Sequence, residues 1–214
     1  MLYTETISTT TLALLTRIME DETMQGFILA GGTALALRIG HRISIDLDLF
    51  TGESFNESLL ADHLRTYYQF KLDFIAKNTL KGEITGIQID CIAHQYPWLE
   101  EPAKSEGNIR LAGFSDIAAM KLNAIAGNGT RIKDFIDIAF LSGKLSFNKM
   151  LESYETKYNS NPVVPLKAII YFNDINFNEP IKMANKNMFD WSKIETRLIN
   201  MQKFPDRLFS VLPI

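Results

Sequence analysis

The sequence predicts an α+β protein: a mixed sheet of about five strands with flanking helices, followed by an all-helical carboxy-terminal half. Three observations carry this expectation. Short apolar or alternating runs, separated by glycine and asparagine turns, crowd the part of the chain up to Leu111. From Ser115 onward apolar residues recur at helical spacing instead. The 214 residues, 46% hydrophobic and 22% charged, are enough to build a core without a metal or disulfide staple. The expected division is an α/β domain over residues 1–112 and a helical domain over 113–214.

Taken in order, Ser8 or Thr9 caps a first helix, Thr10 to Glu20, whose Leu12, Leu15, Ile18 and Met19 share a face. Phe27 to Ala30 is a short apolar strand that runs into Gly31-Gly32, and Thr33 to Ile39 reads as a helix stopped by Gly40. Ser44 to Phe50 alternates, with Ser44, Asp46 and Asp48 on one face and Ile45, Leu47 and Leu49 on the other. Ser54-Phe55-Asn56-Glu57 has capping-box spacing and opens a helix to about Tyr67, with Leu59, Leu60 and Leu64 inward. Phe70 to Ala76, Leu80 to Thr85 and Ile87 to Ala93 read as strands joined through Asn78 and Gly86. Pro97 to Gly107 reads as loop, and Asn108 to Leu111 as an added edge strand. Helices follow over Asp116 to Ala126, Arg131 to Leu141 with Thr130 as cap, Phe147 to Tyr158 with Ser146 as cap, Val163 to Phe172 and Trp191 to Lys203.

Composition narrows the function. Lys and Arg total 22 against 25 Asp and Glu, so no global basic field grips nucleic acid, and any polyanion needs a local patch. The lone Cys91 lies in an apolar run and reads as a core thiol in a reducing compartment. No stretch has about 18 uninterrupted apolar residues, so a cytoplasmic protein is expected, with no membrane partner. His63 and His94 lack ligand spacing with Cys91 or the acids, which argues against zinc. Tyr67, Tyr68, Phe70, Phe74, Tyr171 and Phe172 fall at core-like spacing.

The chemistry is expected at the carboxylates. Asp46 and Asp48 sit at alternate strand positions, about 7 Å apart on one pleat face, and Asp90 reaches them if its strand is a neighbour. Clustered acids repel, so such a group makes physical sense as a cage for magnesium, which takes one or two carboxylates together with phosphate oxygens. The alternative is a pair of solvent-facing acids on an edge strand. Upstream, Gly31-Gly32-Thr33 at a strand end opens a helix, whose backbone NH groups and dipole favour a phosphate. Many ordinary strand-to-helix turns carry the same two glycines. Lys121 interrupts an apolar helix face, as a phosphate-binding point charge or as a snorkelling surface lysine. Asp134 and Asp137 lie three apart with Arg131 one turn earlier, and local ion pairing is the preferred reading of Asp137. Arg38, His41 and Arg42 form the basic cluster nearest the expected site, placed to meet triphosphate or an RNA backbone, and an exposed helix end explains them equally well.

The run from Leu29-Ala30-Gly31-Gly32-Thr33-Ala34-Leu35 to Gly40-His41-Arg42-Ile43-Ser44-Ile45-Asp46-Leu47-Asp48-Leu49-Phe50 resembles the signature of the AbiEii/AbiGii toxin family of nucleotidyltransferases, in the DNA polymerase β-like superfamily. A second block, Asp116 to Ile125 followed by Arg131 to Ile138, is similar to the family's later motifs, and Leu166 to Asp174 looks like its late helix. The resemblance covers about Phe27 to Asp174. It implies transfer of NMP from an NTP to an acceptor hydroxyl, with magnesium as cofactor and release of pyrophosphate. Carried over by position, Gly31, Gly32, Thr33 and Arg42 hold the triphosphate, and Asp46, Asp48 and Asp90 hold metal. Asp90 also serves as the acid that helps deprotonate the acceptor, while Lys121 and Asp134 complete the site. A cognate antitoxin and a tRNA or other RNA acceptor are further implications. Two alternatives stay open: a small-molecule, antibiotic-type nucleotidyltransferase and a catalytically silent binding module.

Overall fold

In the computed structural model, which describes residues 1–104, 108–184 and 189–213, the chain divides into two compact units. The first comprises Met1–Pro97 and Glu101–Ala112; the second comprises Trp98–Glu100 and Gly113–Ile214.

The first unit opens with α1 (Thr9–Glu20), whose Ser8 hydroxyl accepts from the Thr11 amide and so satisfies an orphan donor of the first turn. Strand β1 (Ile28–Leu29) leads directly into α2 (Gly31–Ile39), which Gly40 ends at φ 68°, a left-handed stop suited to glycine. Then come β2 (Leu47–Thr51), α3 (Glu57–Tyr68), β3 (Lys71–Ala76), β4 (Thr79–Ile84), β5 (Ile87–Ala93), β6 (Ala103–Lys104) and β7 (Arg110–Leu111). They form a mixed sheet in the order β3-β4-β5-β2-β1-β7-β6, with β2/β5 and β1/β7 parallel. Leu29, Leu47, Leu49 and Ile89 from the central strands are fully buried, as are Leu15 and Ile18 of α1.

Several expectations are corrected. Strand β2 begins at Leu47, not Ser44; Ser44 is buried and Ile45 is 62% exposed, the reverse of the alternation extrapolated upstream. The cap of α3 is Asn56, whose side chain accepts from the Leu59 amide, and Leu59 itself points to solvent. Asn56 stands immediately before the first helical residue, so it displaces the Ser54 capping box. Tyr68 and Phe70 are buried, whereas Tyr67, Phe74 and Tyr171 are exposed; β3 is a sheet edge with little covering it. Within the expected Pro97–Gly107 loop, Ala103–Lys104 pairs with Arg110–Leu111, and residues 105–107 lie outside the described residues. Cys91 is buried as expected; burial first, then the Asp90 charge, pushes its thiol well above the usual range.

The second unit holds α4 (Phe114–Gly127), α5 (Ile132–Leu141), α6 (Phe147–Tyr158), α7 (Val163–Ala168) and α8 (Trp191–Lys203). Phe135, Phe147, Met150, Leu198 and Met201 fill its interior. Arg131, not Thr130, occupies the cap position of α5, and no side chain caps it. Helix α7 stops at Ala168, short of Phe172, whose ring instead meets Phe135 and Trp191 edge-to-face at 6.0 and 5.4 Å. A fully buried ion pair joins α6 to α4: Lys157 Nζ lies 2.7 Å from Asp116 Oδ1. Asp116 also accepts from the amides of Leu99 and Glu100, and the Lys157 ammonium sits 4.6 Å from the Trp98 ring centroid. That network attaches residues 98–100 to the helical unit.

Two predictions follow from these buried polar groups. Replacing Lys157 with Met strands the Asp116 carboxylate in the interior, which costs about 3 kcal/mol or more; urea unfolding of the full chain should register it, and a loss below about 1 kcal/mol would contradict the reading. In the first unit, Asp21 is desolvated, which raises its pKa, but hydrogen bonds from His63 and Tyr68, both at 2.7 Å, outweigh this and hold it below the usual value. A depressed carboxyl stabilises the fold above its ordinary titration range, and that stabilisation disappears as pH falls through the lowered value. Asp21→Asn should therefore flatten the fall in stability below about pH 4, read by denaturant midpoints at pH 3 to 7.

Candidate functional site

The Gly31 turn and Asp48 of β2 come together. Antiparallel pairing sets Leu29 opposite Leu49, and the Ala30 amide donates to the Asp48 carbonyl at 2.9 Å. The chain then turns at Gly31 with φ 66°, in the left-handed region, and a β-carbon there would collide with the Asp48 carboxylate. Only glycine satisfies both conditions at once. Thr33 pins the approach to β2: its hydroxyl donates to the Asp46 carbonyl and hydrogen-bonds the Ser44 hydroxyl at 2.7 Å. Thr33 is itself buried, so its hydroxyl already positions the acid segment, and the Asp46 side chain is left exposed. Gly32 is buried within the first turn of α2.

Parallel pairing of β2 with β5 puts Asp48 in register with Asp90. Neighbouring strands lie about 4.8 Å apart, so the two carboxylates share a face at close range. Next in the row is Lys81 of β4, opposite Asp90 and ion-paired with it. Its charge offsets the repulsion between the acids. Lys81 was not singled out from the sequence, although a signal existed. The Thr85-Gly86 turn sets Ile84 opposite Ile87, and counting back along both strands pairs Lys81 with Asp90.

Among the described residues, no group of three or more His, Cys, Asp or Glu side chains is arranged to hold a metal ion. Asp46, Asp48 and Asp90 therefore do not form a ready-made three-ligand cage. The Asp48 carboxylate stands against the Gly31 turn, in the space a side chain at residue 31 would need, and a carboxylate there is the kind of hard oxygen donor that magnesium takes.

The basic cluster is not an exposed helix end. His41 and Arg42 are buried, and Arg42 Nη1 donates to the Ile43 carbonyl at 3.3 Å and the Ser44 hydroxyl at 3.4 Å. Arg38 donates to the Ala112 carbonyl.

In the helical unit, taken by itself, Lys121 is buried and not a snorkelling surface residue. Its ammonium is 2.5 Å from Asp134 Oδ1 and 2.9 Å from Asp137 Oδ2. Arg131 Nε stands 3.8 Å from the other Asp134 oxygen. Asp137 is fully buried and its carboxylate reaches Lys121 of α4, a partner beyond the local ion pairing read from the sequence.

Residues 13–103 match a family model described as nucleotidyl transferase AbiEii toxin, type IV toxin–antitoxin system. An uncharacterised protein of Aquifex aeolicus (strain VF5) is 41% identical over 160 residues, covering 69% of this chain and 74% of that protein. Among solved structures, an H. pylori protein described as a nucleotidyltransferase superposes with a TM-score of 0.58 at 18% identity, over 93% of this chain and 96% of that one. The antibiotic-resistance factor ANT(2″)-Ia superposes with a TM-score of 0.53 at 14% identity, over 69% of this chain and 91% of its own. These two likenesses concern the fold.

Substituting Gly31 with Ala forces a left-handed alanine and displaces the Asp48 carboxylate. The backbone term alone costs about 1–2 kcal/mol, to be read by equilibrium denaturation. Gly127→Ala, where an added β-carbon meets open space, is the control and should be close to neutral.

Proposed function

Since the chain belongs to the AbiEii nucleotidyl transferase toxin family, and is by that membership a nucleotidyltransferase, we propose that it is the metal-dependent toxin of a toxin–antitoxin pair that moves NMP from an NTP onto a hydroxyl of an RNA, tRNA being the leading candidate. The observation that supports the metal-dependent reading is the Asp48 carboxylate packed against the Gly31 turn that opens α2.

In this reading, amides at the start of α2 hold triphosphate oxygens at Gly31 and Gly32. Thr33 acts mainly by fixing the Asp46 segment, and Arg42 by bracing that segment from within. Asp46 and Asp48 would hold magnesium, which supplies charge neutralisation for the triphosphate and activation of the attacking oxygen. The acceptor oxygen forms a bond to the α-phosphorus, the bond from that phosphorus to the bridging oxygen breaks, and pyrophosphate departs. Asp90, one strand from Asp48 and balanced by Lys81, would receive the acceptor proton. The resemblance also gives Lys121 and Asp134 a part; in the helical unit, taken by itself, they form a buried ion pair. A cognate antitoxin is the expected partner. No helix among the described residues is long and apolar enough to cross a membrane.

The test incubates purified protein with magnesium, α-labelled NTPs and total cellular RNA. The wild type should label RNA; Asp48→Asn should reduce labelling to background while shifting the unfolding midpoint little. Labelling retained by that variant would reject the metal assignment. In a parallel reaction with a small-molecule antibiotic in place of RNA, labelling of that antibiotic together with none of RNA would replace the acceptor class.

A further inference from the structure

The carboxy-terminal tail forms a second polar feature, wholly within the helical unit and separate from the residues assigned to nucleotidyl transfer. The segment after Arg207 lies along α8 and closes an open pocket of about 370 Å³. Lys193, Thr196, Arg197 and Asn200 of α8 line it, with Arg207 and Phe209 from the tail. Three of these are cations, and no acid is among the lining residues.

The arginines are held in place. Arg197 is buried; its Nη1 donates to the Ser142 hydroxyl at 2.9 Å and its Nη2 to the Val211 carbonyl. Its guanidinium carbon is 4.6 Å from the Phe209 ring centroid, and that of Arg207 is 5.1 Å from the same ring. One aromatic ring thus orients two guanidinium groups, whose planar forks suit phosphate oxygens. Asp190, outside the pocket lining, lies near enough to feel the Lys193 charge, and no acid is among the residues that line the pocket beside Arg197 and Arg207. Burial first, and then the Arg207 charge, lowers the Arg197 pKa from its ordinary value, so the cations are close enough to repel. Elsewhere in this unit buried charges are matched, Lys157 by Asp116 and Lys121 by Asp134 and Asp137. In this pocket three cations gather with no acid in the lining, an arrangement that a bound anion would stabilise.

We propose that this pocket binds a phosphate group, with Arg207 and Lys193 supplying charge on its open side, Arg197 supplying it from within, and Thr196 and Asn200 as neutral donors. The phosphate has two possible sources, a backbone phosphodiester of a bound RNA or free inorganic phosphate. The inference does not depend on the assignment of the Gly31 and Asp48 site.

The experiment is an amide NMR titration of the full chain, first with inorganic phosphate and then with a single-stranded RNA decamer. Phosphate should shift amides within residues 192–200 and 207–213, and the double variant Lys193→Ala, Arg207→Ala should weaken that binding at least tenfold. Both side chains are exposed, so the variant should fold, and unshifted resonances elsewhere will verify it. If RNA moves the same amides with the same dependence on the two cations, the site takes nucleic-acid phosphate; if only inorganic phosphate does, it takes a free anion. Absence of shifts at these amides, or unchanged affinity in the double variant, overturns the proposal. The Asp48→Asn labelling result is independent of either outcome.

Discussion

The space beside Gly31, where a side chain would stand on any other residue, is occupied by the Asp48 carboxylate. A positive φ turns the chain there from β1 into α2, and the Ala30-to-Asp48 hydrogen bond on the preceding residue keeps strand and acid in step. Because backbone and side chain are constrained together, the acid has little freedom to move without the turn. The parallel pairing of β2 with β5 carries the same constraint outward to Asp90. The sheet register, more than any loop, therefore sets where negative charge accumulates.

Accumulated charge has to be offset, and both units do this with lysines. Lys81 faces Asp90 across the β4/β5 pair, which lets two acids stand side by side on partly exposed strands. In the helical unit the matching is done in the interior, where Lys121 bridges two aspartates of α5 and Lys157 reaches Asp116. Interior charges of this kind persist only with partners and hydrogen bonds, and Asp116 adds two backbone amides to its lysine. The carboxy-terminal pocket departs from this pattern, with arginines oriented by Phe209 and no acid among its described lining residues.

Much of the architecture was legible because it depends on neighbours in the chain. Ser8 caps α1, Gly40 stops α2, and Asn78 and Gly86 turn the hairpins, each through backbone geometry decided within a few residues. The approach of the glycine turn to Asp48 was legible for the same reason, since β1, α2 and β2 are consecutive. Failures came where periodicity had to stand in for knowledge of what covers a face. Ile45 and Leu59 continue an apolar pattern yet face solvent, and Phe74 lies on an uncovered edge strand. Among the described residues seven strands order in the sheet against the five or so anticipated, since two-residue strands such as β6 have too little pattern to detect.

The sequence by itself determined the class of fold, the glycine turn, the acids that follow it and the helical texture of the second half. Those features arise from φ preferences, caps and side-chain alternation, all of which act over a few residues. The tertiary structure decided which charges meet. Lys81 and Asp90 are joined by strand register, and Lys157 and Asp116, 41 residues apart, by helix packing. The reason is physical: a charge's partner is chosen by proximity and desolvation in three dimensions, and neither quantity is periodic along the chain.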